Sequence, residues 1–93
     1  MNEIKDLLSK ALKANKKIVK GKQFSVEVQF KGESGDDEDF IKLYADGSVI
    51  AVYEANEKDL NIINWDYKKE VMYFGDCLEE EGMEVYVDEG LMD

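Results

Sequence analysis

The side chains able to do chemistry in this 93-residue chain are four serines (Ser9, Ser25, Ser34, Ser48), one cysteine (Cys77), twelve lysines and twenty-two carboxylates. There is no histidine, and every basic residue is a lysine. A serine or cysteine nucleophile needs a neighbouring base, and no imidazole exists to serve as one. Ser–Lys chemistry stays formally open, but no spacing supports it. Cys77 lies among Asp76, Glu79, Glu80 and Glu81, and negative neighbours raise a thiol's pKa and suppress the thiolate. Paired carboxylates suited to acid–base work occur by chance in any chain this acidic. The expectation is a protein that is not an enzyme.

Metal and phosphate motifs fare no better. Asp36-Asp37-Glu38-Asp39 gathers hard oxygen donors, but an EF-hand counted from Asp37 would need Gly at position 42 and Glu at 48, where Lys42 and Ser48 stand. Gly32-Glu33-Ser34-Gly35 has the outline of a GxxG phosphate clamp, yet four acids follow it directly. No metal and no cofactor is expected. A single cysteine precludes an intramolecular disulfide and favours a reducing, cytoplasmic setting. The longest apolar run, Val49–Tyr53, falls well short of the roughly 20 residues of a membrane helix, and the N-terminus does not resemble a signal peptide.

Charge is the strongest signal. The net charge is −10, but residues 1–22 carry +5 and residues 23–93 carry −15. Such a balance repels nucleic acid and anionic lipid and favours a basic protein partner. The stretch from Asp76 to Asp93 holds eight acids and no lysine. Extended at ~3.3 Å per residue, it would carry one charge per roughly 7 Å, against one per ~3.4 Å for each strand of duplex DNA. A tail alone is too dilute to imitate a nucleic acid; a folded surface that gathers separate acidic segments is required. The lysine-rich helix could in principle contact RNA or an acidic partner; its lysine spacing is equally explained by helix propensity and compensation of the helix dipole, which is the favoured reading.

The elements that must position these groups follow from periodicity. Ile4, Leu7, Leu8, Ala11 and Leu12 lie on one stripe of an amphipathic helix, expected to end near Lys16 or Lys17 before Gly21. Phe24, Val26, Val28 and Phe30 alternate with polar residues, as in a strand with one buried face. Gly32–Asp39 reads as an acidic loop. Phe40–Tyr44 and Val49–Tyr53 flank Asp46-Gly47, a type I′ hairpin signal. A regular ladder from that turn pairs Leu43 with Ile50 and Ile41 with Val52 on the core side, and sets Tyr44 against Val49, Lys42 against Ala51 and Phe40 against Tyr53 outside.

Asn56–Leu60 is a turn or a short helix. Ile62–Tyr67 and Glu70–Phe74 are expected as two further strands, Gly75–Gly82 as a loop or one helical turn, and Met83–Val87 as a last strand with Met83, Val85 and Val87 inward. The fold class is α+β: one N-terminal helix on a mainly antiparallel sheet of about five to six strands, a single domain over residues 1–93.

Phe40, Tyr44 and Tyr53 on the outer face exceed what a core under one helix needs. Exposed rings beside carboxylates suit a contact with a basic protein, because charge speeds encounter and aromatic anchors slow dissociation. The expected partner-binding set is Asp36, Asp37, Glu38, Asp39, Phe40, Tyr44, Tyr53, Glu79, Glu80, Glu81, Glu84 and Tyr86. In composition, being small, acidic, rich in Lys without Arg and free of a catalytic set, the chain resembles inhibitors encoded by bacteriophages and mobile elements, including some anti-CRISPR proteins. That likeness implies a protein that blocks the basic nucleic-acid-binding surface of a host defence or DNA-processing protein. The alternatives are an immunity or antitoxin protein masking a toxin's active site, and a self-associating structural module.

Overall fold

The computed structural model describes residues 2–14, 17–30 and 39–87. Helix α1 (Asn2–Ala14) leads into strands β1 (Lys17–Lys20), β2 (Phe24–Gln29), β3 (Phe40–Ala45), β4 (Ser48–Glu54) and β5 (Asp59–Ile62). A 3₁₀ turn (Trp65–Tyr67), helix α2 (Lys68–Glu80) and a short β6 (Tyr86–Val87) follow. The six strands lie in sequence order in one sheet. Neighbours are antiparallel except β5 and β6, which run parallel. Parallel pairing needs a crossover, and α2 supplies it. The architecture is α+β, with two helices packed on one face of the sheet.

The core is one cluster. Ile4, Leu7, Leu8 and Ala11 of α1 meet alternate residues of the strands, including Val26, Val28, Ile41, Leu43 and Leu60, while Val71, Phe74 and Leu78 of α2 fill the rest. Burying these aliphatic and aromatic side chains supplies the main driving force for folding. Among the described residues no helix or further strand packs on the opposite face of the sheet, called the open face below. Its rows run Lys20–Ser25–Tyr44–Val49, then Ile18–Glu27–Lys42–Val52–Asn61, then Gln29–Phe40–Glu54–Asp59–Tyr86.

Two turns carry the geometry. At Asp46 (φ 52°) and Gly47 (φ 84°) the backbone is left-handed at both central positions, as a type I′ turn demands. At Gly21 the constraint is proximity: a Cβ there would lie 2.6 Å from Glu3 Oε2 and 2.9 Å from Leu7 Cδ1. Glu3 itself accepts hydrogen bonds from the N–H groups of Phe24 (2.8 Å) and Gln23 (3.0 Å), fastening α1 to the β1–β2 hairpin.

Several expectations are corrected. Helix α1 closes at Ala14, and the β-branched pair Ile18-Val19 begins a strand that the lysines around it concealed. The β3–β4 ladder follows the expected register at Tyr44–Val49, then shifts, so that Leu43 pairs with Ala51 and Ile41 with Tyr53. Ile50 is the extra residue of a β-bulge, and its carbonyl accepts the N–H groups of Ile63 (2.8 Å) and Asn64 (3.2 Å). A one-residue slip exchanges the faces of everything beyond it. Ile50 and Ala51 are therefore both buried, and Tyr53 turns into the core.

The second correction concerns residues 62–82. Glu70–Phe74 is helix, not strand, and α2 extends through most of the expected loop. Its buried residues Val71, Phe74, Gly75, Cys77 and Leu78 are spaced for one helical face. Asn64 starts the helical segment by accepting the N–H of Asp66 at 3.0 Å, which ends β5 at Ile62 and removes Trp65–Tyr67 from any strand. The last strand is only Tyr86–Val87, although Met83, Val85 and Val87 do pack against the core.

Candidate protein-binding surface

The expected binding residues divide among several places. Asp36, Asp37 and Glu38 lie outside the described residues. Tyr53 is buried, with 2% of its surface exposed, and is removed from the set: the bulge at Ile50 carries its ring into the core. Its hydroxyl donates to the Glu84 carbonyl at 2.6 Å, and burial pushes its pKa up. Tyr44 remains on the open face, half-buried, and donates to Glu27 Oε1 at 2.8 Å. Burial, with the Glu27 carboxylate beside it, raises its pKa to about 12, so it stays a neutral donor at physiological pH.

Phe40 and Tyr86 share the third row of the open face, separated by Glu54 and Asp59 on the two strands between them. Adjacent strands lie about 4.8 Å apart, which sets the two backbone positions about 14 Å from each other. Phe40 carries Lys42 Nζ at 4.6 Å from its ring centroid, an arrangement in which the ring face attracts a cation. Tyr86 is 52% exposed and donates to Glu84 Oε1 at 2.6 Å. Glu84 also pairs with Lys58 at 2.7 Å. The Lys58 ammonium first and the Tyr86 hydroxyl second hold the Glu84 carboxyl below its ordinary pKa.

A band of carboxylates borders these rings. Asp39 precedes Phe40, Glu54 and Asp59 pair across β4 and β5, and Glu57 sits in the turn between them. Asp39, Glu54, Asn56 and Glu57 line a shallow hollow at this end of the sheet. Beyond Tyr86 the band reaches Glu84, and three residues earlier in the chain Glu81, so these two Cα atoms are at most about 11 Å apart. Glu79, Glu80 and Glu81 are exposed at the C-terminal end of α2, where no basic residue offsets the partial negative charge of the last carbonyls. Glu80 is tied to Lys5 at 3.1 Å.

The structure thus joins Asp39, Phe40, Glu84 and Tyr86 along one border, leaves Glu79, Glu80 and Glu81 at the end of α2, and sets Tyr44 at the far end of the open face. Glu54, Glu57 and Asp59 belong to the border and are absent from the sequence-derived set. The alternation of β4 would have found Glu54 had Ile50 been recognised as a bulge. Asp59 needed the β4–β5 pairing.

Elsewhere the described residues offer little chemistry. Cys77 is buried, and burial pushes its thiol pKa up. Among the described residues no cluster of three or more Cys, Asp or Glu is arranged to hold a metal ion, and none of their helices is long and apolar enough to cross a membrane. Comparison with protein-family models, characterised proteins and solved structures finds no match for this chain.

Proposed function

We propose that this chain is a non-enzymatic acidic binding protein that occupies the basic, nucleic-acid-binding surface of another protein, in the manner of an inhibitor of a host defence or DNA-processing factor. The observation that carries the reading is the cross-strand pair Glu54–Asp59 standing between Phe40 and Tyr86 on a sheet face that no other described element covers, with Asp39 beside Glu54 and Glu84 beside Tyr86, where it is paired with Lys58. Cross-strand pairing brings Glu54 and Asp59 to adjacent strands about 4.8 Å apart, closer than the roughly 7 Å between charges on an extended acidic tail. Folding therefore concentrates charge toward the density that a phosphate backbone presents to a basic cleft. The two rings add contact area with a stiff apolar face, the kind of group that dominates interface energetics.

The reading is tested by immobilising the chain and capturing proteins from a lysate of the native host. A retained protein should be basic, elute as salt rises and be displaced by duplex DNA. A double variant, Glu54→Lys with Asp59→Lys, should retain at least tenfold less of it. Retention indifferent to both salt and DNA contradicts the reading, as does equal retention by the double variant.

A further inference from the structure

The opposite edge of the sheet has another character. Among the described residues β1 is the terminal strand, with β2 as its one neighbour. The Gly21 N–H donates to the Phe24 carbonyl at 2.8 Å, which makes Gly21 and Phe24 a hydrogen-bonded pair. Such pairs alternate along an antiparallel ladder, so Val19–Val26 is the next. The backbone N–H and C=O groups of Ile18 and Lys20 consequently point away from β2, toward the free edge. Ile18 is 46% exposed, and with Lys20, Ser25, Tyr44 and Gly47 it lines a shallow groove on the open face.

The charge at this edge is positive, against the trend of the molecule. Lys10, Lys20 and Lys22 border it. Glu3 and Asp6 of α1 lie beside them and Glu27 stands opposite Ile18 on β2, but the segment 17–22 itself carries three lysines and no acid. Lysines on an edge strand usually keep copies of a protein apart. In a chain of net charge −10 they also attract acidic polypeptide. A second copy's β1 would bring the same lysines against these, and like charges oppose that pairing. Its other terminal strand, β6, spans two residues, against the four of β1.

We infer that β1 is a docking edge for an extended acidic segment of a partner protein, which adds as a further strand by pairing with the outward backbone groups of Ile18 and Lys20. Main-chain hydrogen bonds supply the alignment, Ile18 accepts an apolar side chain, and Lys20 and Lys22 select for carboxylates. This inference does not depend on the acidic band, which lies at the other edge of the sheet.

The experiment is an NMR titration of the ¹⁵N-labelled full chain with the octapeptide Val-Ser-Glu-Ser-Val-Ser-Glu-Ser, which sets valine and glutamate in turn on one face of a strand, and with its counterpart carrying lysine for glutamate. The glutamate peptide should shift the amides of Ile18 and Lys20 and slow their hydrogen exchange, leaving Val19 already protected. Its affinity should fall at least tenfold on raising salt from low to physiological strength. Ile18→Pro, which removes one outward N–H and leaves the β1–β2 hydrogen bonds in place, should abolish binding, and Lys20→Glu should reverse the preference between the peptides. Equal binding of both peptides overturns the inference. So do shifts centred away from β1, an absence of shifts at millimolar peptide, and undiminished binding by Ile18→Pro or Lys20→Glu. Light scattering that finds the wild-type chain dimeric through this edge also overturns it, because the occupant would then be a second copy.

Discussion

Tyr53 keeps its ring in the core and touches the last part of the chain through its hydroxyl, 2.6 Å from the Glu84 carbonyl. Replacing it with Phe preserves the packing and removes that bond, so Tyr53→Phe should destabilise by about 1 kcal/mol, measured as a lower urea midpoint. Glu3 governs the other side of the molecule. Its carboxylate accepts the N–H of Phe24 and then that of Gln23, and both bonds lower its pKa from 4.5. A carboxyl with a depressed folded-state pKa stabilises fully above its unfolded value and loses that contribution as pH falls through the folded value. The difference in stability between wild type and Glu3→Gln should therefore be constant from neutrality to about pH 5 and shrink below pH 4.5. A gap that persists unchanged at pH 3 would show that ionisation is not what makes Glu3 useful.

Helix α2 rests on packing more than on its ends. Phe74 and Val71 are fully buried against the sheet, and Phe74→Ala should cost about 3–5 kcal/mol, enough to threaten the fold of so short a chain. At its C-terminus Glu79, Glu80 and Glu81 oppose the helix dipole, and Glu80 is offset by its ion pair with Lys5. Glu81→Lys should raise the thermal midpoint slightly, by about half a kcal/mol of stability, read by circular dichroism. Elements with one clean period are legible in the sequence. The α1 stripe, the alternation in β2 and the Asp46-Gly47 turn are of this kind. Val71-Met72-Tyr73-Phe74 was not, because a run of β-prone residues masks a helical spacing that becomes visible only when Cys77 and Leu78 are counted with it. The bulge at Ile50 left no local mark either; it is fixed by two hydrogen bonds from Ile63 and Asn64, residues more than ten positions away.

At the scale of the whole molecule, the two sheet edges differ in sign. The β1 edge is flanked by Lys20 and Lys22, and the β5–β6 border by Asp59 and Glu84. The charge difference between the N-terminal 22 residues and the remainder was plain in the sequence; its placement on opposite edges depends on the strand order. Phe40 and Tyr86 are legible as ring residues and lie on the open face, but the acids between them depend on the bulge at Ile50 and on the β4–β5 pairing. Since Glu54 and Asp59 sit on the uncovered face and serve no core contact, Glu54→Lys with Asp59→Lys should leave the unfolding free energy within about 0.5 kcal/mol of wild type, by denaturant titration. The most direct measurement is competition: fluorescence anisotropy of labelled duplex DNA on the basic protein retained by the immobilised chain, titrated with wild type and with that double variant. Wild type should release the DNA stoichiometrically and the variant should fail to do so at equal concentration. If both release it equally, or neither does, the acidic border is not the blocking surface.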